Sequence, residues 1–138
     1  MARLSAKKEM WFEIPGDEDK AKVKILHLTP GDIQKISNDT SRWVGKRVND
    51  EFESELEYSP LEQMQKTRIA AVLDWDNFYD ADGNKLKCNT KNLELYLNHD
   101  PELGIDEDGK ALPFSSWIDK FREKISEGVS SKEELEKN

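Results

Sequence analysis

Cysteine is almost missing from this chain: Cys88 is the only one in 138 residues, so no intramolecular disulfide can form and a disulfide-stapled secreted scaffold is excluded. Histidine is nearly as scarce. His27 and His99 are the only two, neither lies in a recognisable catalytic motif, and Cys88 has no local activating signature. No Cys/His set suits zinc, and no glycine-rich loop is built to cradle phosphate. Long apolar runs are lacking as well. Nothing approaches the ~20 apolar residues that span a bilayer, and the opening "MARLSAKKEMWFEI" carries basic residues without a continuous apolar signal segment. Positive charge is in deficit, with a net charge of −8 and a pI near 4.9, which argues against a phosphate-backbone partner. These absences lead us to expect a soluble, cytoplasmic, nonenzymatic protein with no cofactor, no metal, no nucleic-acid partner and no membrane partner.

Charge and aromatic residues are what the chain does have. Charged residues make up 36% of it, and four Trp with five Phe supply large apolar bodies. A chain of this length buries about 68–70% of the surface its unfolded form exposes, enough for one core. We therefore expect one domain over residues 1–128 and a charged tail over 129–138. Arg42, Lys46 and Arg47 form a basic cluster, and Asp50, Glu51, Glu53, Glu55 and Glu57 follow without compensation; both read as solvated charged faces.

Periodicity and punctuation place the elements. "MWFEI" (10–14) and "KVKILHL" (22–28) flank a Pro15-Gly16 turn signal and predict a hairpin, with Lys22, Lys24 and Leu26 on one side and Val23, Ile25 and His27 on the other. "TPGDIQKI" predicts a helix capped by Thr29, with Pro30 first and Asp32 in the opening turn. From residue 37 to 58 two patterns compete. Ile36, Thr40, Val44, Val48, Phe52 and Leu56 recur every four residues, while "EFESELEY" alternates strictly, so helix and strand both stay open. Ser59 and Glu62 resemble a capping box around Pro60 and predict a helix to about Leu73, with Leu61, Met64, Ile69, Val72 and Leu73 toward a core. A helix behind an Asn89 or Thr90 cap carries Leu93, Tyr96 and Leu97, and another, opened by Ser116 with Asp119 and ended by Gly128, carries Trp117, Ile118, Phe121 and Ile125. The segment between them reads as loop.

The acidic glycine motifs "DADG" and "DEDG" invite a calcium reading, because alternate acids around a fixed glycine form the middle of an EF-hand loop. The register fails at both. With Gly83 at loop position six, Phe78 falls at position one and Asn89 at twelve; with Gly109 there, Gly104 and Ser115 take those places. Both lack the first carboxylate and the last bidentate glutamate, so we read Asp-Gly as a turn. Trp75, Phe78, Tyr79, Trp117 and Phe121 read either as a core or as a partner surface.

The order of parts in residues 70–97, "AAVLDWDNFYDADGNKLKCNTKNLELYL", resembles a pattern in the small tail assembly chaperones of long-tailed bacteriophages and prophages. A helix runs into Trp75, an extended piece, the Asp82-Gly83 turn, Leu86, a Thr90-x-Asn92 helix start, then Leu93 and Leu97. Residues 12–36 are also similar to how such proteins begin. The resemblance implies a nonenzymatic protein that binds the long helical tape-measure protein and helps recruit tail-tube subunits. Candidate contacts are Leu93, Tyr96, Leu97, Trp117 and Phe121, with Trp75, Asp82, Gly83 and Thr90 as the structural motif. A ring-forming virion component, such as a tail-terminator or connector subunit, and a small acidic regulatory binder are the other readings. The expected fold class is α+β: an N-terminal β-hairpin packed with about four short helices, the C-terminal half mostly helical.

Overall fold

The computed structural model describes residues 8–48 and 51–137. The fold is α+β and divides into two compact units: residues 1–27 with 68–138, and residues 28–67.

In the first unit, β1 (Glu9–Glu13) and β2 (Lys22–Leu26) form the expected hairpin. A third antiparallel strand, β5 (Val72–Asp76), extends it, giving the order β1-β2-β5. Val23 and Ile25 are fully buried, as the alternation of β2 requires. Their inner face receives the long helix α4 (Phe114–Lys137), whose Phe114, Trp117, Ile118, Phe121 and Ile125 are all buried. Each such side chain contributes roughly 1.5–3 kcal/mol by leaving water. Phe12 of β1 stacks on Phe121 with centroids 4.8 Å apart. Helix α3 (Thr90–His99) adds Leu93 and Leu97 to the same core. The outer sheet face is charged, with Lys24 bonded to Glu9 at 3.0 Å and Lys85 to Asp76 at 2.7 Å.

Three acidic turns of one design interrupt this unit. Asp80 Oδ1 accepts from the backbone N–H of Asp82 and Asn84, and Asp106 Oδ1 from those of Asp108 and Lys110. Gly83 (φ +82°) and Gly109 (φ +78°) fill the left-handed position of each, which glycine occupies without steric cost. The third, in "DEDK", uses Asp17 Oδ2 to accept from Ala21 N–H, and Lys20 (φ 55°) stands where the others have glycine. The turn reading of the two Asp-Gly sites therefore holds. The second closes a short hairpin, β6 (Glu102–Leu103) with β7 (Leu112–Pro113), in a segment expected to be loop.

In the second unit, α1 (Pro30–Thr40) has the predicted Thr29 cap, and Asp32 completes it as a capping box: Thr29 Oγ1 accepts from Asp32 N–H, and the Asp32 carboxylate accepts from Thr29 N–H at 2.9 Å. The ambiguous middle resolves as strand. β3 (Ser41–Val48) and β4 (Glu51–Tyr58) pair antiparallel from Ser41↔Tyr58 to Val48↔Glu51. Asp50 of the acidic run lies outside the described residues. Helix α2 (Pro60–Ala71) begins in this unit, its first turn closed by Gln63 N–H to the Ser59 carbonyl at 2.9 Å.

Three expectations are corrected. Helix α2 ends at Ala71, and Val72 and Leu73 belong to β5, where a register shift at Lys24/Ile25 leaves Leu73 outward. Leu61 and Met64 are exposed, at 77% and 49%, so they face water and not a core. Gly128 does not terminate α4: it lacks the positive φ of a helix-ending glycine, and the helical backbone runs on to Lys137.

Candidate functional site

The stretch that carries the resemblance folds into one aromatic module within the first unit. Trp75 enters the core from β5, and its indole Nε1–H donates to the Leu86 carbonyl at 2.8 Å. That bond ties the strand to the far side of the acidic turn. Phe78 stacks on Trp75 at 4.4 Å, and Tyr96 and Phe114 meet the pair edge-on, the geometry that the aromatic quadrupole favours. Tyr96 also grips the backbone: its hydroxyl donates to the Tyr79 carbonyl and accepts from the Tyr79 N–H at 3.1 Å. Burial pushes the Tyr96 phenol up from its ordinary value, which keeps it neutral and able to donate.

The turn itself is closed by Leu86 N–H to the Phe78 carbonyl and by Asp80 N–H to the Asn84 carbonyl. Asp82 and Gly83 lie at its exposed tip. Helix α3 then starts at Thr90, but the cap is Asn89, whose Oδ1 accepts from Asn92 N–H at 2.8 Å; Thr90 is the exposed first helical residue. At its other end Asp100, in the left-handed region (φ 45°), closes α3 with its N–H on the Tyr96 carbonyl. The same residue opens the next helix. Its carboxylate accepts from Ser115 N–H at 2.8 Å and from Ser115 Oγ at 2.6 Å. The expected Ser116–Asp119 start is corrected accordingly: Asp119 instead receives a two-pronged bond from Arg68, at 3.1 and 2.8 Å.

The five candidate contact residues are placed differently from a binding face. Leu93, Leu97, Trp117 and Phe121 are all less than 5% exposed, and Trp117 also donates to the Leu103 carbonyl at 2.7 Å. Their spacing does describe one face of each helix, but that face is taken up by the core. Tyr96 alone is half-buried and borders open space. The space is a mostly apolar concavity of about 330 Å³ whose lining includes Tyr79, Leu86, Leu95, Tyr96 and His99 together with the acid Asp80. Leu95 is 45% exposed. Sequence reasoning missed it, although the signal was present: in "NLELYL", Leu95 is the leucine that falls off the Leu93–Leu97 stripe.

Reactive chemistry finds little support in this module. Burial, reinforced by the Asp74 carboxylate, pushes the Cys88 thiol up to about 11, so the nucleophilic thiolate is disfavoured. No three His, Cys, Asp or Glu side chains converge as a metal site among the described residues. The Asp106 carboxyl is held below its usual range by the Lys110 and Asp108 N–H groups, so its oxygen is engaged by its own turn. A second hollow, of about 500 Å³ between Ile105 and Glu127, is lined by both acids and lysines. The apolar concavity is the better candidate for a protein contact. No family model, curated protein or solved structure matches the chain.

Proposed function

We propose that this chain is a tail assembly chaperone of a long-tailed phage or prophage, binding tape-measure or tail-tube protein in the host cytoplasm without catalysing a reaction. The observation that carries the reading is the apolar concavity around Leu95, to which the stretch bearing the family resemblance contributes Tyr79, Leu86, Leu95 and Tyr96. A shallow apolar site on a strongly acidic body suits an amphipathic helical client, because it covers the client's apolar face while the charge keeps the complex dissolved. The buried leucines and Trp117 serve this reading only indirectly, by holding α3 in place.

The test is capture of purified tape-measure and tail-tube proteins by the tagged chain, compared with its Leu95→Asp variant. Wild-type capture of either client, reduced at least tenfold in the variant with an unchanged circular dichroism spectrum, is expected. Failure of the wild-type chain to retain either client overturns the reading.

A further inference from the structure

The β3–β4 hairpin carries an unusual division of charge. Strand β3 holds Arg42, Lys46 and Arg47 and no acid; β4 holds Glu51, Glu53, Glu55 and Glu57 and no base. Within the hairpin the register sets Arg42 opposite Glu57 and Lys46 opposite Glu53, while Arg47 pairs with Phe52, out of phase with the four glutamates. The two strands form a sheet of their own and pair only with each other among the described residues. Each has eight residues, so each leaves a long outer edge of backbone donors and acceptors with no strand beside it. Such edges are templates for strand addition, and a lone two-stranded ribbon is marginal in water until further strands join it. Arg47, Glu51 and Glu57 are exposed.

We infer that this hairpin is a self-association device that adds edge to edge with a second copy of the chain, the basic β3 of one copy lying against the acidic β4 of the next. Charge selects the occupant and the mode. Pairing β4 with another β4 would set glutamates against glutamates, and β3 with β3 would set basic residues against each other; like charges across strands are destabilising. Only the mixed pairing places every strand between strands of opposite sign. It also continues the antiparallel order, since copies repeated head to tail keep β4 antiparallel to the incoming β3. The contact is heterologous and therefore builds a closed ring or an open filament. It does not depend on client binding.

The test is sedimentation equilibrium of the full chain, and separately of a charge-exchanged variant, across protein and salt concentration. That variant carries Arg42→Glu, Lys46→Glu, Arg47→Glu, Glu51→Lys, Glu53→Lys, Glu55→Lys and Glu57→Lys, which preserves opposite charge inside the hairpin. The wild-type chain is expected to associate at low salt and to dissociate as salt shortens the Debye length from about 30 Å at 0.01 M to about 3 Å at 1 M. Tagged wild-type chains should capture wild-type chains, and charge-exchanged chains should capture one another with the same salt dependence, because the mixed edge then keeps opposite charges with the signs reversed. The milder Glu51→Gln with Glu57→Gln guards against misfolding and should weaken association several-fold with an unchanged circular dichroism spectrum. A monomer mass at low salt up to about 1 mM, where even a millimolar contact is half-formed, overturns the inference. Failure of charge-exchanged chains to associate with one another, or association indifferent to the glutamine pair, overturns it too.

Discussion

The two units of this protein differ in the bonding that their described residues show. All the buried hydrophobic residues among those described lie in residues 8–27 and 68–137, where strand, helix and turn meet around Trp75, Phe114 and Phe121. Among the side chains described, residues 28–67 contribute Thr40 and Thr67 to the buried set, and both hydroxyls are turned onto their own helix backbone, Thr40 to the Ile36 carbonyl and Thr67 to that of Gln63. One unit is stabilised by burial. The other shows bonds that the backbone and its caps provide locally, through the Thr29 capping box and the β3–β4 ladder. Burial makes a unit cooperative and costly to open, whereas bonds within one helix can open locally.

The sharpest way to break the contrast is Trp75→Ala, which removes a buried ring, its stacking on Phe78 and its bond to the Leu86 carbonyl. A loss of ~3–5 kcal/mol is expected, as for other buried aromatic truncations, read as a fall in the denaturation midpoint followed by near-ultraviolet dichroism. Hydrogen exchange should then show protection lost throughout the first unit and little changed in α1. Equal loss in both would show that the units do not differ in the way described. Gly104→Ala comes next. Gly104 has φ +61°, and a Cβ there would stand 2.3 Å from the Pro15 carbonyl oxygen and 2.6 Å from Ile14 Cγ2. Strain of this kind costs on the order of 1–3 kcal/mol, and urea unfolding should show it; a neutral midpoint would mean that the loop gives way freely.

Two caps sharpen the comparison, one in each unit. Asp100→Ala leaves the N–H and the buried hydroxyl of Ser115 without their carboxylate, and loss of such a cap costs about 0.5–2 kcal/mol. Since α4 carries much of the core, the loss should appear in the global denaturation midpoint. Thr29→Ala removes a cap of ~1 kcal/mol from α1. That loss should appear as faster amide exchange confined to α1, with the global midpoint unchanged. A global shift on Thr29→Ala would tie the second unit to the first.

The same contrast explains what could be read from sequence. The Thr29 cap and the two Asp-Gly turns were legible, and the α3 cap was narrowed to Asn89 or Thr90, because their partners lie within a few residues and the chemistry is local. The Asp100 cap was not, for its partner Ser115 lies 15 residues away and Ser116–Asp119 offered a plausible local substitute. Residues 68–75, "RIAAVLDW", have helical spacing, yet Val72 to Asp76 complete the sheet beside β2; pairing outweighed propensity, as it can for short apolar runs. The turn at Asp17 escaped notice because lysine replaces glycine at its left-handed position. The candidate contact residues were chosen by spacing alone, which finds an apolar face but cannot tell what covers it. Leu95, outside the stripe, is the residue left uncovered.

A graded effect is set by alkaline pH, and it belongs to the first unit. The Cys88 thiol is raised from an ordinary 9.0 to about 11, chiefly by burial, and burial raises the Tyr96 phenol in the same direction. A group whose pKa is higher folded than unfolded prefers to stay protonated in the fold. Its stabilisation is complete below the unfolded value and is lost as pH rises through the folded one. Stability should therefore decline between about pH 9 and 11, with Cys88 and Tyr96 contributing in parallel. Cys88→Ala removes one of the two, so urea midpoints measured across that range should fall less steeply in the variant than in the wild type. The comparison of slopes, not of midpoints, is the readout, because truncating a half-buried side chain lowers stability at every pH by a constant amount. Parallel slopes would mean that the thiol titrates in the folded unit as it does in the unfolded chain, and that the pocket formed by Asp74, Trp75 and Leu86 does not shelter it.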